Sequence, residues 1–233
     1  MSLSSPFEAV HERMGANFAE YDGWRLPADF GDPAAERAAI ENGCAAFDLS
    51  SFGRIALKDA GAEQAVGDLV GNQTPLPADG QWLWAGPSAD NKPLRIGRVK
   101  GGYLVLTPPK QRQKVLAAVQ KNAYEKQITG LSIADLTEKT AMLGIYGPGA
   151  AEAVNNILPF DISRIEPAGI TVMSFFMISI TIIRGAWTGA DGIELICPAS
   201  AAPLAAGAVA KYHKRQNITP AGMDCLVDAM SGI

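Results

Sequence analysis

The sequence predicts an α+β fold made of two related lobes. Runs rich in β-branched and aromatic residues alternate with helical patterns along all 233 residues, as is typical of mixed sheet-and-helix domains. An internal repeat is the second observation: DLSSFGRIALKDAGAEQAVGDLV, residues 48–70, matches DLTEKTAMLGIYGPGAAEAVNNIL, residues 135–158. Repeats of this size indicate a duplicated supersecondary unit. We therefore expect one compact unit, residues 1–233, with two lobes around a central cleft that binds a ligand.

The first half of the chain should hold two helices, then a strand and a third helix. Residues 7–14 and 33–44 have helical patterns, and Asp32 is placed to cap the second helix ahead of a proline in its first turn. Residues 54–57 form an apolar β-branched run that predicts a strand, and residues 61–70 predict the helix that follows it.

The middle of the chain predicts a hairpin and a solvated helix. Trp82 and Trp84 have strand spacing, and residues 94–99 turn at two glycines into residues 103–106, a hairpin pattern. The basic run at residues 110–126 has apolar residues at helical spacing, which favours a solvated helix face over a nucleic-acid site. The remaining predicted elements are a buried strand at 172–183, a strand at 192–196, a helix near 200–213 and a last element at 222–230.

Charge and cysteine usage exclude several function classes. The net charge is −4 and the pI is near 5.2, which gives no cationic surface for nucleic acid or an anionic membrane. Cys44, Cys197 and Cys225 are far apart and odd in number, which indicates reduced thiols of a cytoplasmic protein rather than metal ligands. The run at 172–183 is too short for a membrane helix, and the start MSLSSPFEAV has no secretory signal pattern.

The stretch RGAWTGADGIELICP, residues 184–198, combines a glycine-rich turn with a strand that carries an acid. Glycines permit positive φ angles and close approach to the backbone, so the turn either is only tight or frames a ligand. Taken alone, Glu194 between Ile193 and Leu195 suits the solvent face of an amphipathic strand. Trp187 alone would suit a core position.

Five segments follow one another along the chain: HERMGANFAEYDGWRLPADF, AAFDLSSFGRIAL, IYGPGA, WTGADGIEL and TPAGMDCL. Together they resemble the N-terminal folate-binding region of the glycine cleavage T protein (aminomethyltransferase) family. The resemblance covers nearly the whole chain. It implies α/β lobes with ferredoxin-like elements, tetrahydrofolate as cofactor and no metal. The function it implies is that of a tetrahydrofolate-dependent aminomethyltransferase-like protein of one-carbon and glycine metabolism.

The resemblance also implies site residues. Glu194 would accept hydrogen bonds from the pterin, because the aminopyrimidine edge offers adjacent donors to one carboxylate, and Trp187 would stack on the ring. Asn72 matches a family asparagine, and Thr107 stands where the family has another asparagine. One-carbon transfer needs a carboxylate near the folate nitrogens. Asp90 is the only acid in SADNKPLRIGRV, so it is the candidate for this catalytic carboxylate. The alternative interpretation is that Asp90 is a turn residue of an Asp-Asn loop.

The sequence departs from the family pattern at several points, and these departures leave two alternatives to an aminomethyltransferase-like enzyme. Val227 stands where the family has an arginine, and the family's β-rich C-terminal domain does not follow residue 233. The alternatives are a non-catalytic folate-binding module or subunit and a degenerate scaffold that acts through protein contacts. Expected partners are folate, an aminomethyl carrier protein, a closing partner subunit or a second copy of the chain. His11, on the first helix, favours a structural role over a catalytic one.

Overall fold

A computed structural model describes residues 2–71, 75–87, 93–175 and 177–231 of the chain. The chain divides into two compact units. The first unit consists of Met1–Ser50, Thr140–Pro167 and Val172–Ile233, and the second of Ser51–Lys139 and Ala168–Thr171.

The described residues contain both helices and short strands throughout. The helices are α1 (Glu8–Arg13), α2 (Pro33–Asn42), α3 (Ala62–Leu69), α4 (Arg112–Glu125), α5 (Ala150–Asn155), α6 (Ala202–Tyr212) and α7 (Met223–Met230), with 3₁₀ turns at Ile162–Arg164 and Ala199–Ala201. The strands are β1 (Leu3–Ser4), β2 (Asn17–Tyr21), β3 (Trp24–Asp29), β4 (Ala45–Asp48), β5 (Gly53–Lys58), β6 (Trp82–Pro87), β7 (Pro93–Val99), β8 (Gly102–Thr107), β9 (Ser132–Asp135), β10 (Thr140–Tyr146), β11 (Ile170–Phe175), β12 (Ile178–Arg184), β13 (Gly192–Pro198) and β14 (Thr219–Pro220).

The first unit is built on a six-stranded sheet in the order β11-β12-β13-β10-β4-β14. Its strands β12, β13, β10 and β4 pair antiparallel, and β14 joins β4 in parallel. Leu143 and Ile145 of β10 and Ile193 of β13 belong to an apolar cluster that also takes side chains from α1, α5 and α6. A small sheet, β1-β3-β2, lies in the same unit, and its strands were not expected from the sequence.

The second unit has a five-stranded sheet in the order β6-β7-β8-β5-β9. Ile55 and Leu57 of β5, Ile96 of β7 and Val105 of β8 form its apolar cluster with residues of α3 and α4. The predicted hairpin is confirmed as β7 and β8, which pair from Arg95 and Leu106 to the turn. Each copy of the sequence repeat contains a strand, a turn and a helix, β5 with α3 in this unit and β10 with α5 in the first.

The prediction of one buried strand at residues 172–183 is wrong. The chain reverses there, so the run forms the two strands β11 and β12, and Met177 at the reversal is fully exposed with a φ of 65°. A continuous apolar run hides which residues face outward: Met173 and Ile180 pack on the core, whereas Val172 is exposed. Twelve residues would also make a strand longer than is usual in globular proteins.

The predicted cap of α2 is confirmed, because Asp32 Oδ1 accepts a hydrogen bond from the Ala35 N–H at 3.0 Å. The helix ends at Asn42, two residues earlier than predicted. Glu36 of this helix is buried, and its carboxylate accepts from the Phe30 N–H at 2.6 Å and the Gly222 N–H at 2.8 Å. One side chain therefore holds the end of β3 and the beginning of α7.

Gly222→Ala should destabilise the protein, because the added Cβ would lie 2.0 Å from the Ala28 carbonyl oxygen and 2.5 Å from the Asp29 nitrogen. Backbone atoms cannot rotate away, so we expect a loss of about 3 kcal/mol in the free energy of unfolding, measured by urea denaturation. Gly207→Ala is the matched control. Its Cβ meets nothing within 4 Å inside α6, so it should gain roughly 0.5–1 kcal/mol. Equal stability of the two variants would contradict this packing.

Candidate functional site

The glycine-rich turn between β12 and β13 is held by hydrogen bonds within the turn and by one from Gly147, which follows β10. The Gly185 N–H donates to the Gly192 carbonyl at 2.7 Å, and the Gly147 N–H donates to the Asp191 carbonyl at 3.0 Å. Asp191 Oδ1 accepts from the Gly192 N–H at 2.9 Å. Gly189 has a φ of +74°, which L side chains rarely adopt. The turn therefore brings β13 beside β10 at a fixed register.

Glu194 lies in the middle of β13 and is completely buried. Its position opposite Gly144 of β10 points it away from the apolar cluster that holds Ile193. Tyr146 Oη donates a hydrogen bond to Glu194 Oε1 at 2.6 Å. The amphipathic pattern of the strand is therefore present, but the polar face is enclosed rather than solvated.

Trp187 is 2% exposed and lies in the turn. Its backbone N–H is 3.5 Å from Tyr146 Oη, at the outer limit of a hydrogen bond. The two residues predicted to hold the pterin thus both lie next to the Tyr146 hydroxyl. The neighbouring Thr188 has a buried hydroxyl with no hydrogen-bond partner among the described residues.

Sequence reasoning assigned no role to Tyr146. The residue stands in IYGPGA, a segment that carries the family resemblance, but an aromatic at the end of an apolar strand looks like a core residue. Only the pairing of β10 with β13 shows that its hydroxyl reaches an acid 48 positions further along.

Thr107 ends β8 in the second unit and is completely buried. Its Oγ1 has no hydrogen-bond partner among the described residues, and it occupies the place that a Cβ on Gly53 would need, 2.3 Å away. A buried hydroxyl without a partner is costly, so Thr107 stays a predicted ligand contact. Asp90 and Asn72, the other predicted site residues, lie outside the described residues.

Arg95 of β7 is completely buried in the second unit. Its guanidinium carbon lies 5.0 Å from the ring centroid of Trp82 and 5.5 Å from that of Trp84, distances that give cation–π attraction. The two rings meet edge to face at 5.5 Å. The strand spacing of the tryptophans was visible in the sequence, but their contact with a buried cation was not.

His11 belongs to a buried polar cluster in the first unit. Its Nε2 lies 3.0 Å from Asp48 Oδ2, and Ser5 Oγ donates to the same oxygen. Asp48 Oδ1 accepts from the Ser50 N–H at 3.0 Å. Burial alone would raise the pKa of Asp48. Hydrogen bonds from His11, Ser5 and Ser50, together with the charge of His11, outweigh this effect and hold the pKa below its ordinary value. The cluster joins α1 to β4, which is the structural role expected for His11.

The helices and strands define an α+β protein of two sheet-and-helix units. In the first unit, one face of the large sheet carries the buried pair Tyr146 and Glu194. A family model described as the GCVT N-terminal domain matches residues 7–229. The chain therefore belongs to the GCVT N-terminal domain family.

Two curated relatives show the extent of the similarity. A probable aminomethyltransferase of Natronomonas pharaonis is 28% identical over 211 residues, covering 87% of this chain and 58% of the relative. The aminomethyltransferase of Halalkalibacterium halodurans is 25% identical over 228 residues, covering 94% of this chain and 60% of the relative. The chain thus spans little more than half the length of these relatives.

Two solved structures share the fold. The glycine cleavage system aminomethyltransferase T from Bartonella henselae matches 100% of this chain and 63% of its own, with a TM-score of 0.82 and 19% identity. A chain of the heterotetrameric sarcosine oxidase from Corynebacterium sp. U-96 matches 92% of this chain and 95% of its own, with a TM-score of 0.55 and 17% identity. The predicted mixed α+β fold of the T protein is therefore confirmed. None of the helices in the described residues combines the length and apolar character needed to cross a membrane.

Asp48→Asn should reduce stability at neutral pH, because the amide loses the charge that His11 and Ser5 bond to. We expect a loss of about 2–4 kcal/mol. Because the pKa of Asp48 is lowered on folding from a value near 3.8, its stabilisation is present above that value and is lost as pH falls through the folded-state pKa.

Urea denaturation at several pH values between about 7 and 2 tests this linkage. The wild-type free energy of unfolding should fall more steeply in acid than that of Asp48→Asn. Asp59→Asn, a change at an exposed carboxylate, is the control and should follow the wild type. Parallel curves for Asp48→Asn and the wild type would refute the assignment.

Proposed function

We propose that this chain binds a reduced folate through Glu194 and serves one-carbon metabolism as an aminomethyltransferase-like protein. The observation that carries the proposal is the buried carboxylate of Glu194 beside Tyr146. Membership of the GCVT N-terminal domain family and similarity to curated aminomethyltransferases support it.

Glu194 is better explained by recognition than by packing. Its strand neighbours Ile193 and Leu195 are apolar, and an apolar side chain would fill a buried site on β13 without the cost of desolvating a carboxylate. A carboxylate can instead accept two parallel hydrogen bonds. The aminopyrimidine edge of a pterin supplies such a pair of N–H donors.

The residues of the first unit fit a pterin in donor and acceptor character. Glu194 would accept from the ring edge, Trp187 would offer an aromatic surface, and the Thr188 hydroxyl has a buried oxygen without a partner among the described residues. Thr107 has the same character in the second unit, and Asn72 remains a predicted contact. Bound tetrahydrofolate would supply the nitrogens that accept a one-carbon unit. Because Glu194 and Trp187 are enclosed, a ligand can reach them only after a local rearrangement.

Calorimetric titration with tetrahydrofolate and folinate tests the binding proposal. Glu194→Gln should raise the Kd at least about tenfold, because the amide loses a charged acceptor and presents an N–H₂ to the ring donors. Glu152→Gln, at an exposed position of α5, is the matched control and should bind as the wild type does. An unchanged Kd for Glu194→Gln, or no binding by the wild type at millimolar ligand, would contradict the proposal.

Transfer of the one-carbon unit needs a carboxylate, and Asp90 is the predicted one. Asp90→Asn should abolish transfer from an aminomethyl carrier protein to tetrahydrofolate while the Kd for tetrahydrofolate stays within about twofold of wild type. Turnover that survives the substitution would remove Asp90 from the mechanism.

A non-catalytic folate-binding subunit is the second candidate. One observation favours it: a chain of nearly this length shares the fold within a heterotetrameric oxidase. This candidate predicts folate binding that depends on Glu194, no transfer with any aminomethyl carrier, and co-purification with a partner subunit or with a second copy of the chain.

A further inference from the structure

Tyr146 and Glu194 lie on the same face of the first unit's large sheet. In the β10–β13 ladder, Tyr146 pairs with Gly192, and Gly144 pairs with Glu194. Residues directly opposite in an antiparallel pair share a face, and residues two apart on one strand do so as well. All four positions therefore lie on the face opposite the apolar cluster that contains Ile145.

The two glycines make room for the Tyr146 ring. A Cβ on Gly192 would lie 2.7 Å from Tyr146 Cδ1, and a Cβ on Gly144 would lie 3.0 Å from both Cε1 and Cζ. Such distances are too short for carbon atoms, so the ring lies directly against the backbone of both strands. Neither glycine has a positive φ, so close approach, and not backbone conformation, requires glycine at these positions.

Phe47 of β4 fixes the ring further. Its centroid lies 5.4 Å from that of Tyr146 at an interplanar angle of 43°, and Phe47 is also completely buried. An aromatic ring enclosed in this way keeps one rotamer. The position of its Oη is consequently fixed, 2.6 Å from Glu194 Oε1.

We propose that Tyr146 is a positioning residue, which sets the orientation of the Glu194 carboxylate and thereby the preference for a ligand with paired N–H donors. The proposal rests on the proposed function, since it assumes that Glu194 receives the pterin edge. The hydrogen bond from the fixed Tyr146 hydroxyl holds the Glu194 carboxyl group in one rotamer before the ligand arrives, which reduces the entropy lost on binding.

Tyr146→Phe removes the hydroxyl and keeps the ring. The Kd for tetrahydrofolate should rise roughly tenfold, about 1.4 kcal/mol of binding free energy, because the Glu194 carboxyl group must then be ordered when the ligand binds. The preference for tetrahydrofolate over an analogue without the 2-amino group should also fall at least about fivefold, because a mobile carboxylate recognises the donor pair less well. Loss of global stability alone would not change that ratio. Tyr124→Phe, at an exposed tyrosine, is the matched control.

Gly192→Ala displaces the ring while keeping the hydroxyl, and it should lower the same preference. Its control is Gly207→Ala, where a Cβ meets nothing. In Tyr146→Phe/Glu194→Gln, the Kd should equal that of Glu194→Gln alone, because a positioning residue acts through the group it positions. Circular dichroism and thermal midpoints show that each variant is folded at the assay temperature.

The outcomes separate the two proposals. If the wild type binds no folate, or if Glu194→Gln binds normally, the proposed function fails and the role of Tyr146 fails with it. If binding depends on Glu194 but Tyr146→Phe keeps both the wild-type Kd and the wild-type preference, only the positioning role is overturned. Additive effects in the double variant would overturn it as well.

Discussion

The antiparallel pairing of β10 with β13 is the constraint on which both the core and the candidate site of the first unit depend. Seven residue pairs run from Thr140 and Pro198 to Tyr146 and Gly192. One face of this ladder gives Ile145 and Ile193 to the apolar cluster, and the other carries Glu194 and the Tyr146 ring. A shift of one residue would exchange the faces and bury the acid among aliphatic side chains. The glycine-rich turn and the apolar core therefore stabilise the register that creates the site.

Three buried carboxylates of the first unit show how structural acids differ from a candidate binding acid. Glu36 accepts from two backbone N–H groups and joins distant segments. Asp48 accepts from Ser50 N–H and from the side chains of Ser5 and His11. Both use their oxygens to close the fold. Glu194 also joins two strands, β13 and β10, but it does so through the hydroxyl of a tyrosine whose ring is enclosed by glycines and Phe47.

Sequence patterns predicted those features that depend only on neighbouring residues. The Asp32 cap, the β7–β8 hairpin and the turn before β13 follow from turn and cap chemistry within a few residues. Glu194 was proposed as a site residue from the family resemblance. The reversal near Met177 was missed because a uniformly apolar run carries no periodicity. Tyr146 was missed because its role depends on a strand 48 residues away, and no pattern within IYGPGA distinguishes a core aromatic from one that bonds an acid.

Binding and transfer place different demands on the chain, and the described residues meet them unequally. Recognition of a flat donor edge needs a fixed acceptor, which the β10–β13 ladder provides through Glu194. Transfer also needs a negative charge where positive charge develops on the substrate. The predicted carboxylate for this role is Asp90, which lies outside the described residues. The ladder therefore supplies what recognition needs, whereas the charge that transfer needs is predicted to come from Asp90, outside that ladder.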